Sequence, residues 1–347
     1  MKKKIIAIVG ARPQFIKHFP FEKAVEDSFN LVTIHTGQHY DDYMSKIFFD
    51  QMKMQRPKYM LDIGSRGHGA QTGLMMVEIE KIVLDEKPDW MVVYGDTNST
   101  LAGALVAAKL HIPIAHIEAG LRSFNKQMPE EVNRIMTDHI SSLLLVPSDI
   151  ATKNLEAEGI RNNVEVVGDI MKDLVQISIN DNVISARAHE ENYYYATLHR
   201  PYNTDEKDRL SYVLDSLNAM EKNVVFSIHP RTINAMKKFG LDRNNYSNII
   251  FIDPQGYFDN LSYLLYSDGL ITDSGGMQKE AYWLKKKCIT IRTETEWVET
   301  LSDGANTLVF DDLSDLNTIM NGEAQWDNSL YGDGKCGSKI CRLLKEI

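Results

Sequence analysis

Three carboxylic residues in the first half of the chain stand where α/β proteins place their chemistry, just after a strand or at the start of the next helix. Asp96 follows the apolar run WMVVY, in Gly95-Asp96-Thr97-Asn98-Ser99-Thr100. Glu118 follows IPIAHI, in Glu118-Ala119-Gly120-Leu121-Arg122, and Glu130 opens a helix in Pro129-Glu130-Glu131. Each has a bland alternative: a helix cap for Asp96, a loop ion pair with Arg122 for Glu118, and the preference of acids for a positive helix end for Glu130. As a set they point further. Two carboxylates about 5 Å apart at an effective dielectric of about 20 repel by roughly 3 kcal/mol, or about 2 pKa units. One can then stay protonated while another is ionised, which a general acid and a general base require.

A second group of residues suits anions. Gly10-Ala11-Arg12-Pro13-Gln14-Phe15-Ile16-Lys17 follows the first strand, with Pro13 in the first turn of a helix and Arg12 and Lys17 placed to face an anion. In the second half, Thr272-Asp273-Ser274-Gly275-Gly276-Met277-Gln278-Lys279-Glu280 ends a strand and begins a helix. The N–H groups of Ser274, Gly275 and Gly276 and the helix dipole suit a phosphate. Glu280, one turn on, fits a sugar hydroxyl pair such as a ribose diol better than a phosphate. Thr197-Leu198-His199-Arg200 and His229-Pro230-Arg231 are further strand-end segments. No G-x-G-x-x-G occurs at the first strand, so a tightly held NAD is not indicated. His35 and His39 follow a strand rather than lying on a helix, which argues against a metal site.

These residues need strands to present them, and the sequence supplies two series. Apolar runs of four to six residues at Ile5 to Val9, Leu31 to Ile34, Trp90 to Tyr94, Ile114 to Ile117, Leu143 to Val146 and Val164 to Val167 alternate with segments of helical period. Helices are expected over Pro13 to Glu26, Asp41 to Met52, Gln71 to Glu86, Ser99 to Leu110, Glu130 to Ser142 and Ala151 to Glu158. Unbroken β-branched runs joined by helices predict parallel strands buried on both faces. Gly168 to Glu191 reads as a polar, weakly periodic break, and a second α/β series follows. The division is residues 1–168 for a first domain carrying the carboxylates, 185–330 for a second carrying the phosphate-suited DSGG turn, and 331–347 for a terminal amphipathic helix packing back on the domains. Open sheets bind ligands at the carboxyl ends of their strands, so a cleft between two such domains is the expected site.

Composition sets the outer bounds. The 347 residues carry a net charge of −10 with no long basic block, which argues against nucleic-acid or membrane-surface binding. Three cysteines, Cys288, Cys336 and Cys341, are too few for a disulfide framework and fit a reducing compartment, with the cytoplasm as the default. The apolar run after MKKK is too short for a secretory signal.

The stretches GARPQFIK, HTGQHYD, YGDTNSTLAGALVAAKLHIPIAHIEAGLRSFNKQMPEEVNR, TLHR, HPRT, DPQGY, TDSGGMQKEA and YGDG run in order from Gly10 to about Gly334. They resemble the non-hydrolysing UDP-N-acetylglucosamine 2-epimerases over nearly the whole chain. Within that family, GARPQFIK, RSFN with its short link to PEE, and TETEWVE look closer to the branch acting on UDP-2,3-diacetamido-2,3-dideoxy-glucuronic acid. The UDP-N-acetylglucosamine branch more often has GTRPEAIK, HRRE and an Arg-Pro where this chain has Trp297-Val298. The resemblance implies a GT-B-like fold of two Rossmann-like domains and a homodimer. It also implies elimination of UDP to an enzyme-bound glycal and its return after reprotonation on the other face, without NAD or metal. By matched position it makes Asp96, Glu118 and Glu130 the acid and base candidates, with Arg134 steadying them and His199 beside the diphosphate. Arg12, Lys17, Ser274, Gly275 and Gly276 would hold phosphates and Glu280 the ribose. Gln38 and His39 match a regulatory nucleotide-sugar site of the other branch, from which Asp41 and HRPY at His199 to Tyr202 depart. A glycosyltransferase of GT-B type and a non-catalytic nucleotide-sugar binder are the competing readings. The first would need an acceptor site and should not exchange the C2 proton, and the second has little use for three converging carboxyl groups.

Overall fold

The computed structural model describes residues 2–38, 54–64, 66–181, 183–184 and 192–346, without the Arg12 side chain. The chain forms two compact units, one from Met1–Ile177 with Ser329–Ile347 and the other from Ser178–Asn328. The expected helix over Asp41 to Met52 lies outside the described residues.

The first unit runs β1 (Lys4–Val9), α1 (Arg12–Val25), β2 (Asn30–His35), β3 (Tyr59–Met60), α2 (His68–Glu86), β4 (Trp90–Tyr94), α3 (Asn98–Lys109), β5 (Ile114–Ile117), α4 (Pro129–Ile140), β6 (Leu143–Val146), α5 (Asp149–Ala157), β7 (Val164–Val166) and α6 (Ile170–Asn180). Its strands lie in the order β3-β2-β1-β4-β5-β6-β7, and every pairing is parallel. The physical basis is the one the sequence suggests: β1 and β4 are apolar on both faces, and all five residues of β4 are buried. The small residues of α3, NSTLAGALVAAK, let it lie close against β1 and β4.

The second unit runs β8 (Tyr193–Thr197), α7 (Pro201–Thr204), α8 (Lys207–Asn218), β9 (Asn223–Ser227), α9 (Pro230–Phe239), β10 (Ile249–Ile252), α10 (Tyr257–Tyr266), β11 (Gly269–Thr272), α11 (Gly275–Trp283), β12 (Lys287–Ile291), β13 (Asn306–Val309) and α12 (Leu316–Asn321). Its parallel sheet has the order β10-β9-β8-β11-β12-β13. Tyr193, Tyr194 and Tyr195 are all buried in β8, as core residues.

Several elements are absent from the sequence reading: α6, β3 and the short helices α7 and α12. The expected break after Val167 holds a helix, α6, whose Ile170, Leu174 and Val175 are buried. Its polar look has a cause in the last helix, α13 (Cys336–Glu346). Asp173 of α6 accepts hydrogen bonds from the N–H groups of Cys336 (2.9 Å) and Gly337 (2.8 Å), and Lys172 donates to the carbonyls of Leu330 and Gly332. The terminal helix thus belongs to the first unit, where it packs on α1. β3 was not anticipated, because a two-residue strand leaves no periodicity to read.

Candidate active site

In the first unit the strand order reverses between β1 and β4, which in open α/β sheets opens a crevice at the strand ends. Gln14 knits these ends together. Its Oε1 accepts from the N–H groups of Gly10 (2.9 Å) and Ala11 (3.1 Å), while its Nε2 donates to the Tyr94 carbonyl (2.9 Å) and Thr100 Oγ1 (2.9 Å). The N–H groups of Gly10 and Ala11, just ahead of α1, are therefore satisfied internally.

Lys17, on α1, forms an ion pair with Glu118, which sits directly after β5 in the left-handed region with φ of 70°. Burial opposes the Lys17 charge, but Glu118, with Asp96 and Asp169 nearby, holds its pKa above the ordinary value. Gly95 leaves room for this pair: a Cβ there would lie 3.3 Å from Glu118 Oε2 and 3.7 Å from Lys17 Nζ, and its φ of 60° independently favours glycine. Asp96, the next residue, forms an ion pair with Arg134 of α4. Arg134 Nη1 also donates to Glu131 (2.9 Å), which is almost wholly buried and accepts from the N–H groups of Ser123 and Phe124, both at 2.9 Å. Burial would raise the Glu131 pKa, yet those donors and Arg134 hold it below the ordinary value.

Asp96 and Glu118 each have a cation as partner, so the repulsion expected of bare neighbouring carboxylates is largely offset. Arg122 does not pair with Glu118; it is engaged by Asp138 and Glu158. The cap of α3 is Thr97, whose side chain accepts from Thr100 N–H, so Asp96 is not spent as a cap. Lys17 faces a carboxylate where a phosphate was expected. Glu130 is exposed in the first turn of α4, one turn before Arg134 on the same helix.

The second unit reverses its strand order between β8 and β11, and Asp273 at the end of β11 organises that point. Fully buried, it accepts from the N–H groups of His199 (3.1 Å) and Arg200 (2.9 Å) and from Asn203 Nδ2 (3.1 Å). It also lies 3.1 Å from His199 Nδ1. Burial pushes its pKa up, but His199 and the other donors hold it below the ordinary carboxylate value. Facing an anion, Nδ1 donates, which fixes the ring and turns Nε2 away from Asp273.

Ser274 is the residue before α11, and its N–H is already given to Thr272 Oγ1 (3.0 Å). Gly276 opens on free space, whereas a Cβ at Gly275 would stand 3.4 Å from Trp297 Nε1 and 3.6 Å from Arg292 Nη1. Arg292 pairs with Glu296, and Lys279 lies 3.6 Å from the centre of the Trp297 ring. Glu280 is buried on α11.

Gln14 and Asp273 are the residues whose importance the sequence concealed. Asp273 could have been flagged as a carboxylate closing an apolar strand, the rule that singled out Glu118. Gln38 accepts from the N–H and hydroxyl of Ser99, and His39 lies outside the described residues. Among the described residues no group of three His, Cys, Asp or Glu side chains is arranged to hold a metal ion.

Comparison with known proteins identifies the family. The UDP-N-acetylglucosamine 2-epimerase family model matches residues 23–345. The UDP-2,3-diacetamido-2,3-dideoxy-D-glucuronate 2-epimerase of Pseudomonas aeruginosa is 44% identical, over 99% of this chain and 100% of that one. The UDP-N-acetylglucosamine 2-epimerase of Methanocaldococcus jannaschii is 45% identical, over 98% of each chain. The crystal structure of the M. jannaschii enzyme with UDP-GlcNAc and UDP superposes with a TM-score of 0.84 at 43% identity, covering 100% of both chains. With two Rossmann-like units of GT-B-like class and full-length likeness to these enzymes, the chain belongs to the UDP-N-acetylglucosamine 2-epimerase family.

Proposed function

We propose that the protein inverts C2 of UDP-2,3-diacetamido-2,3-dideoxy-glucuronate, supplying a precursor for a cell-surface polysaccharide. UDP-N-acetylglucosamine is the alternative substrate within the same reaction. The epimerase class follows from family membership; the sugar is our reading of the TETEWVE and RSFN segments and of the relative from P. aeruginosa.

One observation carries the chemistry: Asp96 and Glu118 emerge from β4 and β5, each held by its own cation, Arg134 and Lys17. A base removes the proton from C2 while the C1–O bond to UDP breaks, the oxygen leaving with the electron pair and a C1=C2 double bond forming. An acid then returns a proton to C2 from the other face as a UDP oxygen re-attacks C1. We assign the acid and base roles to Asp96, Glu118 and Glu130, with Arg134 and Lys17 orienting the first two. The Asp273-oriented His199 meets the diphosphate, together with Arg12, Ser274, Gly275 and Gly276, and Glu280 meets the ribose. Preorganised donors of this kind stabilise a departing diphosphate without reorganisation.

Incubation in D2O with each UDP-sugar, followed by proton NMR, tests the proposal. Deuterium at C2 with a manno product from one sugar is expected. Exchange with neither would favour a GT-B glycosyltransferase and send the work to acceptor assays.

We also infer a homodimer. Leu74, Val77 and Leu84 of α2 and Val132 and Met136 of α4 are exposed, giving apolar surface on which a second copy can pack. Light scattering that returned a monomer of 39.5 kDa would overturn it. Three buried free cysteines suit the cytoplasm, where we place the enzyme.

A further inference from the structure

His116, the third residue of β5, is fully buried with both ring nitrogens engaged. Nε2 lies 2.8 Å from the carbonyl oxygen of Gly95, and Nδ1 lies 2.7 Å from Asp138 Oδ1. A carbonyl only accepts, so Nε2 donates. Asp138 is itself buried. Desolvation alone would raise its pKa, but His116 and Arg122 hold it below the ordinary value, so Nδ1 donates as well. The second oxygen of Asp138 accepts from Gly120 N–H (3.1 Å) and Arg122 Nη1 (2.7 Å), and Arg122 reaches on to Glu158 through two further hydrogen bonds of 2.7 and 2.8 Å.

One His–Asp pair therefore joins three segments. Gly95 is the residue before Asp96; His116 is two residues before Glu118, whose far side is fixed by Gly120; and Asp138 lies on α4, one turn after Arg134, the partner of Asp96. A network that served only the core would not be expected to end on the residues flanking both carboxylates. We propose that His116 and Asp138 are positioning residues for the 2-epimerase reaction, setting the separation of Asp96 and Glu118 without touching the substrate. The inference rests on the assignment of Asp96 and Glu118 to the acid and base roles. Displacements of about 1 Å at reacting groups can cost about 100-fold in rate.

His116→Gln and Asp138→Asn keep approximate volume but break the double donation or remove the charge. Each is expected to lower kcat for C2 epimerisation by about 10- to 100-fold while the Kd for UDP, measured by calorimetry on the full chain, stays within about twofold. A purely structural role would instead lower the folded fraction, read by circular dichroism, at unchanged kcat per folded molecule. Unchanged kcat in either folded variant would overturn the proposal. Failure of both variants to fold would also overturn it, making the pair a determinant of the fold. Wild-type protein that exchanges no C2 proton with either sugar would overturn the reaction itself, and so is distinguishable from wild-type exchange matched by equally active variants.

Discussion

A base that takes a proton from carbon must be ionised and must stay so beside a departing diphosphate, and the two charge pairs of the first unit address that need at the level of single residues. Asp96→Asn, Glu118→Gln and Glu130→Gln should each lower turnover by at least ~100-fold with UDP affinity largely kept, because acid–base contributions begin at about that size. Full activity in any one, measured by NMR, removes that residue from its role. Lys17→Met should act differently. Without the ammonium, Glu118 loses the charge that favours its ionised form, so the acidic limb of the kcat/KM profile should move to higher pH. An unmoved limb would mean that Glu118 does not titrate in the reaction. Asp96 and Glu118 were legible because a carboxylate after an apolar strand is a local signal. The partner of Glu118 was not, since Lys17 lies 101 residues away in sequence and only the sheet brings it near. Equally, nothing in Pro129-Glu130-Glu131 says which glutamate turns inward; the fold buries Glu131 as acceptor for the Ser123–Phe124 loop and leaves Glu130 exposed.

Elements were easier to read than partners. Unbroken runs such as Ile5 to Val9 and Trp90 to Tyr94 need two covered faces, which strands of a parallel sheet flanked by helices have, and their alternation with helical segments made both sheets foreseeable. α6 was not, because Asp173 and Lys172 look like surface charge until α13 and the preceding turn are laid against them. That docking has a measurable weight. Asp173→Ala would leave the Cys336 and Gly337 N–H groups buried without their acceptor, and an unsatisfied buried donor costs about 1–3 kcal/mol. The midpoint of chemical denaturation should drop accordingly, with earlier proteolysis at residues 336–346. A variant as stable and as resistant as wild type would show that the helix is held by its apolar contacts with α1 alone.

Two buried glutamates should give the whole molecule a stability profile with opposite limits. Glu86, at the end of α2, accepts from Lys4 (2.8 Å), Lys58 (2.5 Å) and Tyr59 (2.6 Å) and so ties α2 to β1 and β3. Those donors, Lys4 first, lower its pKa to about 2. A carboxyl depressed in the folded state stabilises fully above its unfolded pKa, near 4.5, and that contribution is lost as pH falls toward about 2. Glu22, on α1, is the reverse case. One oxygen accepts from Gln55 N–H (2.9 Å), while the other, among the described residues, has His18 near it at 3.6 Å and no hydrogen-bond partner. His18 cannot serve as its counter-charge, because burial lowers the imidazole pKa to about 3 and its nitrogens already meet Tyr94 OH and Thr33 Oγ1. Burial therefore raises Glu22 to about 7. Its protonated form stabilises fully below about 4.5, and that contribution disappears as pH rises through about 7. Calorimetric Tm values from about pH 3 to about pH 9 should then decline at both ends. Glu22→Gln should flatten the upper decline and leave the lower, and Glu86→Gln should do the opposite. If Glu22→Gln runs parallel to wild type through neutrality, Glu22 is ionised in the folded protein and another group sets the upper limit.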